Sequence, residues 1–212
     1  MSPRSCALCA HHRVDPYFED RNRAYVQCDQ CGLISVPACY HVSLQREKAR
    51  YDTHQNSADN EGYRQFLSQI IPPLLTKLRS GDDGLDYGCG PAPVLAQMLN
   101  NRGNKTDYYD PFYHPNSALL TKQYDFVTCT EVVEHFRDPM AEWKRLINLV
   151  KKGGWLAVMT QLTSSGMDFG NWYYKNDETH ISFYSSQTFN WLSQQYHLSI
   201  EHYGKSIVLL QC

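Results

Sequence analysis

The chain has no apolar run near the roughly 20 residues needed to cross a bilayer, and no excess of either charge. Its 20 Lys and Arg stand against 22 Asp and Glu, a formal net charge of −2. The first absence argues against a membrane-embedded role, and the second removes the electrostatic footprint of indiscriminate nucleic-acid binding. The start, Met1-Ser2-Pro3-Arg4-Ser5-Cys6, lacks the apolar core of a secretory leader, so a cytoplasmic protein is expected. No G-x-x-x-x-G-K-[ST] phosphate loop occurs, and the one glycine turn that could serve a dinucleotide carries Pro93 at its third glycine position. NAD and ATP are poor fits for such a chain. A disulfide framework is missing too: of eight cysteines only four fall in close pairs, while Cys39, Cys89, Cys129 and Cys212 are scattered.

The paired cysteines are the first positive signal. Cys6-x2-Cys9 and Cys28-x2-Cys31 are separated by eighteen residues, the paired-knuckle spacing of a tetrahedral four-thiolate zinc site. Each C-x-x-C puts two thiolates on one tight turn, and Tyr17 to Val26 can supply a short hairpin between them. Four thiolates close the coordination shell, so this zinc is expected to support folding and not catalysis, with His11 and His12 left as solvated loop residues. A zinc ribbon over 1–40 follows.

From Cys39 to Asn60 the chain is polar and shows neither helical nor strand periodicity. We read 41–60 as a linker, and Tyr51, His54 and Asn56 as residues that would suit a lid. After Asn60, Tyr63, Phe66, Leu67, Ile70, Leu74 and Leu78 recur at helical spacing, broken near Pro72-Pro73. Strand and helix then alternate over 61–212. Strands are expected around 85–88, 105–109, 125–129 and 155–160, and helices over 91–101, 139–150 and 187–196. A terminal hairpin at 198–202 and 206–210 turns at Gly204. Such alternation means an α/β fold, a mostly parallel sheet whose ligand crevice lies at the strands' carboxyl ends.

The segment Gly84-Leu85-Asp86-Tyr87-Gly88-Cys89-Gly90-Pro91-Ala92-Pro93 reads as a buried strand breaking into a glycine turn that opens a helix. Gly88 and Gly90 lack a Cβ, so backbone can press against a ligand there. With Ala92 in place of the last glycine, it resembles D/E-x-G-x-G-x-G, the first motif of class I S-adenosylmethionine (SAM) methyltransferases, and the likeness covers roughly Asp59 to Leu210. That resemblance implies a Rossmann-like sheet closed by the antiparallel hairpin, and SAM as cofactor. It sets Asp86 toward the methionine end of SAM, Asp110 on the ribose hydroxyls, Phe112 over the adenine and Thr130 near the sulfonium. Tyr63, Gly88, Cys89, Gly90 and Pro111 complete the cofactor set. One departure stands out: only fourteen residues separate Asp110 from Asp125, too few for the usual helix, strand and helix. The third strand is expected to be missing, and with it the acidic residue that usually reads the adenine.

Directly after the next strand comes Glu131-Val132-Val133-Glu134-His135. On a helical turn Glu131, Glu134 and His135 would share one face at spacings of three and four. The pattern E-x-x-E-H looks like the metal motif of small-RNA 3′-terminal 2′-O-methyltransferases and of ubiquinone-pathway O-methyltransferases, in which a later histidine completes the set. His180 is the candidate here, giving Glu131, Glu134, His135 and His180 as a divalent-metal set. Without metal, His135, His180 and Glu134 remain the catalytic candidates, the histidines as general bases. Phe169, Trp172, Tyr173 and Tyr174 are expected to line an acceptor pocket. The expected function is methyl transfer to a small-molecule hydroxyl. The alternatives are an RNA-modifying or RNA-binding protein gripping RNA with its ribbon, and a metal hydrolase, which leaves the glycine turn and Asp110 unexplained.

Overall fold

The computed structural model describes residues 5–53 and 56–212. The hairpin expected between the knuckles is present: β1 (Val14–Glu19) pairs antiparallel with β2 (Ala24–Cys28), its register shifting between Pro16 and Phe18. Proline has no N–H to give the ladder, and the shift sits beside it. A short β3 (Ile34–Ser35) continues this sheet on the other side of β2.

The 41–60 segment is not a bare linker, since it contains α1 (Leu44–Tyr51), whose first turn is capped by Ser43 accepting the Arg46 N–H at 3.2 Å. Hydrophobic periodicity could not reveal this helix, because its one buried residue is Glu47 and ion pairs hold it. The apolar stripe from Tyr63 onward splits into α2 (Glu61–Ser68) and α3 (Ile71–Leu75). Pro72 and Pro73 occupy the first turn of α3, where a missing N–H leaves no helical bond unmade.

The remainder alternates as expected. In order come β4 (Gly84–Tyr87), α4 (Val94–Asn100), β5 (Thr106–Tyr109), β6 (Tyr124–Thr130), α5 (Pro139–Asn148) and β7 (Val150–Met159). They are followed by β8 (Ser182–Phe183), α6 (Ser186–Tyr196), β9 (Ser199–Tyr203) and β10 (Ile207–Gln211). The large sheet runs β5-β4-β6-β7-β10-β9, parallel from β5 to β7 and antiparallel at β10 and β9. Between β5 and β6 the described residues hold only a 3-10 turn, Ser117–Thr121, so the third strand is absent and β5 is an edge.

Alternate residues of the central strands feed opposite faces, as the period of a strand requires. Val127, Cys129, Leu156, Val158, Val208 and Leu210 pack toward Trp143 and Leu146 of α5 and Phe189 and Leu192 of α6. Phe126, Ala157, Met159, Ile207 and Leu209 face α2, α3 and α4. The first of these clusters also contains Cys6, Leu8, Cys28, Cys31 and Leu33. The ribbon is further stitched to the large domain by β8, which pairs antiparallel with β3 through Ile34 opposite Phe183.

Candidate active site

At the carboxyl end of β4 the chain turns through Gly88 and Gly90, at φ of +80° and +67°. Side chains rarely adopt this region, so glycine is favoured on conformational grounds alone. A Cβ on Gly88 would lie 2.4 Å from Val132, whereas one on Gly90 would meet nothing within 4 Å and would project into free space. That space belongs to a cleft of about 1950 Å³ running over the carboxyl ends of the parallel strands.

Of the residues assigned to the cofactor, Tyr63, Gly88, Cys89, Gly90, Asp110, Pro111, Phe112 and Thr130 line this cleft. Asp86 does not: it is buried beneath the floor, accepting the Thr128 hydroxyl at 2.8 Å. Burial raises its carboxyl to about 6. Asp110 knits the turn to the β5 loop, one oxygen accepting the Gly90 N–H at 2.9 Å and the other the N–H groups of Phe112 and Tyr113 at 2.8 and 3.1 Å. A carboxylate offers about four acceptor sites, so one remains for a ligand hydroxyl.

The segment after β6 departs from the expected helical turn. Glu131 takes a left-handed backbone, φ +54°, its N–H donating to Met159 O at 2.7 Å, and only a 3-10 turn, Val133–His135, follows. The three side chains therefore do not line one helical face: Glu134 and His135 stay close together, while Glu131 is set apart from their group. Glu131 faces the cleft, its carboxyl raised to about 9 by burial and by the neighbouring charge of Glu134. Glu134 points inward and is wholly buried, accepting the Tyr174 hydroxyl at 2.5 Å and the Thr160 hydroxyl at 3.0 Å. Burial raises its pKa as well.

His135 and His180 are brought together from opposite walls, ring centroids 4.8 Å apart. Nδ1 of His135 lies 3.0 Å from Thr179 O and Nδ1 of His180 lies 2.7 Å from Tyr174 O. A carbonyl only accepts, so each Nδ1 carries a proton, which leaves Nε2 as the nitrogen each ring can offer to a ligand. Burial, then the proximity of His135, depresses His180 to about 3 and keeps it neutral. Glu134, His135 and His180 each offer a ligand atom within 4.8 Å of the others. Glu131 does not join that group. In the ribbon the sulfurs of Cys6, Cys9, Cys28 and Cys31 converge likewise, with Cys6 3.6 Å from Cys31 and Cys9 3.5 Å from Cys28.

Tyr173 and Tyr174 line the cleft as expected of an acceptor wall, but Phe169 and Trp172 do not. They pack with Tyr25 and Phe183 in a third apolar cluster beneath the ribbon hairpin. In the 41–60 segment Tyr51 and Asn56 line the cleft, while His54 lies outside the described residues. The Tyr51 ring meets Phe112 at 5.7 Å and His135 at 5.1 Å, spanning both halves of the site. Residues that periodicity and motifs had not singled out also border the cleft, among them Arg23, Glu47, Arg50, Arg137 and Asp177. No sequence signal marks them, because their partners are distant in the chain: Arg137 pairs with Glu47, and Arg50 with Asp177 at 2.8 Å.

A glycine turn, an acidic residue closing the second parallel strand and a terminal antiparallel hairpin together define a SAM-dependent methyltransferase fold. The family described as "Methyltransferase domain" matches residues 60–203, and the chain belongs to it. The SAM-dependent methyltransferase from Archaeoglobus fulgidus is similar in fold, with a TM-score of 0.55 at 14% identity over 70% of this chain and 94% of its own. A 1,6-didemethyltoxoflavin-N1-methyltransferase from Burkholderia thailandensis, solved with S-adenosylhomocysteine, gives 0.50 at 11% identity over 93% and 97%. The ubiquinone biosynthesis O-methyltransferase of Nitrosospira multiformis is 34% identical over 77 residues, 36% of this chain and 32% of that relative. The match thus spans about a third of the relative's length.

Proposed function

We propose that the protein transfers the methyl group of SAM to a hydroxyl oxygen of a small-molecule acceptor, with a divalent ion held by Glu134, His135 and His180. The observation carrying this reading is the convergence of one carboxylate and two imidazoles, a ligand atom of each within 4.8 Å of the others, beside the cleft that the glycine turn opens. The donor set fits a divalent cation with oxygen and imidazole preference. Each histidine has its other nitrogen fixed by a backbone carbonyl, the usual support of a metal-bound imidazole. The partial likeness to a ubiquinone-pathway O-methyltransferase supports an oxygen acceptor.

SAM supplies an electrophilic methyl group on a sulfonium. A divalent ion held by Glu134, His135 and His180 would lower the pKa of an acceptor hydroxyl brought to it. The chain's own residues do the rest. Gly88 and Gly90 let backbone approach the cofactor, and Asp110 fixes the turn while keeping one lone pair for a ribose hydroxyl. Tyr51 and Phe112 cover the middle of the cleft, and Tyr174 orients Glu134. His135 and His180 line the cleft beside Tyr173 and Tyr174.

The four cysteines suit a structural zinc ion in this reading. A zinc–sulfur bond of about 2.3 Å sets tetrahedral sulfur separations near ~3.8 Å, and the observed 3.5 and 3.6 Å match that spacing.

Isothermal titration should show SAM and its demethylated product binding while NAD is silent. Labelled SAM incubated with a metabolite extract should pass its label to a low-mass product, and a chelator should stop turnover without releasing SAM. Full turnover in excess chelator would remove the metal. Label appearing in RNA would replace the small-molecule acceptor.

A further inference from the structure

Five backbone carbonyls of the 174–179 loop are divided between two tasks. Tyr174 O accepts the His180 imidazole and Thr179 O accepts the His135 imidazole. Those of Lys175, Asp177 and Glu178 are all taken by one guanidinium, that of Arg23 at the turn of the β1–β2 hairpin. Asp177 O is at 2.9 Å and Glu178 O at 3.3 Å, and the guanidinium's remaining Nε donates to Tyr25 at 2.9 Å. Arg23 is only 7% exposed. A buried cation so placed is retained at a desolvation cost, and its planar fork suits several acceptors at fixed angles in a way a lysine ammonium does not.

The turn that presents Arg23 is itself rigid. Asp20 accepts the N–H groups of Asn22 and Arg23 at 2.8 and 3.0 Å and, through its other oxygen, pairs with Lys175 at 3.2 Å. The strand leaving that turn, β2, ends on Cys28, one of the four converging thiols. A continuous set of bonds therefore runs from the cysteine cluster through Arg23 to both imidazoles.

We infer that the cysteine-rich hairpin is a working part of the acceptor site, and that Arg23 is a positioning residue holding the 174–179 loop so that His135 and His180 converge. This rests on the proposed divalent site for its metal readout, but not for its structural one. Arg23 touches neither imidazole, and acts on both through the loop.

The test compares wild type with Arg23→Met and Arg23→Lys in the full chain, using Mn²⁺ binding by electron paramagnetic resonance, SAM binding by calorimetry and amide exchange across 174–181. Manganese prefers oxygen and nitrogen donors, so the thiol cluster does not mask the signal. Loss of outer support for metal-bound histidines typically weakens affinity by about tenfold or more. Arg23→Met should lose Mn²⁺ by that factor and exchange faster at 174–181, with SAM affinity held within about twofold. Arg23→Lys, which keeps the charge without the fork, should fall between. Folded variants with wild-type Mn²⁺ affinity and exchange would overturn the inference. Should wild type bind no Mn²⁺ while exchange still rises in the variants, the metal reading falls and the positioning role stands. If Arg23→Met does not fold, Arg23→Lys is judged by the same two criteria.

Discussion

Asp86 illustrates how one residue can satisfy a motif without touching the ligand space. It opens the D-x-G-x-G pattern, yet its carboxylate lies below the cleft, bonded to Thr128 and raised to about 6 by burial. The raised value has a thermodynamic sign. Between about pH 4 and 6 the native state holds this proton more tightly than the unfolded chain, so its contribution to stability falls as pH rises through that window. In the unliganded protein, the stability of wild type relative to Asp86→Asn should drop by up to about 3 kcal/mol between pH 4 and pH 7. Urea unfolding across that range measures it, and parallel curves for the two proteins would refute the assignment. The residue types needed here were legible from the sequence, whereas the direction each side chain takes was not. Glu131, Glu134 and His135 were expected on one helical face, but the left-handed backbone at Glu131 sets it apart from Glu134 and His135, which group with His180 instead.

At the scale of elements, the glycine turn and α1 show opposite kinds of evidence. The turn is written in the sequence because glycine takes its positive-φ backbone without strain, and its two glycines should fail differently. Gly88→Ala meets Val132 as well as positive-φ strain, so it should cost more than about 2 kcal/mol of stability. Gly90→Ala meets no neighbour and should cost about 1 to 2 kcal/mol, while its new methyl group intrudes on the cleft and weakens SAM binding about tenfold or more. Denaturant melts with calorimetry on both variants separate the effects, and equal losses of stability would argue against this geometry. Helix α1 was illegible for a physical reason. Arg46 pairs with Glu178 at 2.7 Å, Arg50 with Asp177 at 2.8 Å, and Glu47 with Arg137. Such contacts leave no apolar period along the helix. The more exposed pair, Arg46 with Glu178, contributes little, whereas Glu47 and Asp177 are largely buried partners.

At the scale of the molecule, the sequence suggests a ribbon placed ahead of a methyltransferase domain, and the packing crosses that boundary. Cys6, Cys28 and Cys31 share a buried cluster with Val127, Trp143, Tyr184 and Phe189, and β3 pairs with β8. If the four thiols hold the proposed zinc, Cys28→Ser should therefore release it and lower one cooperative thermal transition of the whole chain, by about 4 kcal/mol or more, the scale seen when a metal site is lost. Calorimetry with metal analysis checks this. Two separate transitions, with the larger unchanged, would mean that the ribbon melts on its own.

Local chemistry is what the sequence determined by itself. Cysteine spacing set the thiol cluster, positive-φ glycines set the turn, alternating periods set the order of strands and helices, and a fourteen-residue interval left no room for a third strand. Each depends on residues close in the chain, where covalent geometry limits the choices. The tertiary structure alone decided which distant groups meet. The Arg23 guanidinium on the 174–179 loop, the Glu47 and Arg137 pair, and the convergence of His135 with His180 all join segments separated by 45 to more than 150 residues. Such contacts follow from the packing of whole elements, which no local pattern encodes.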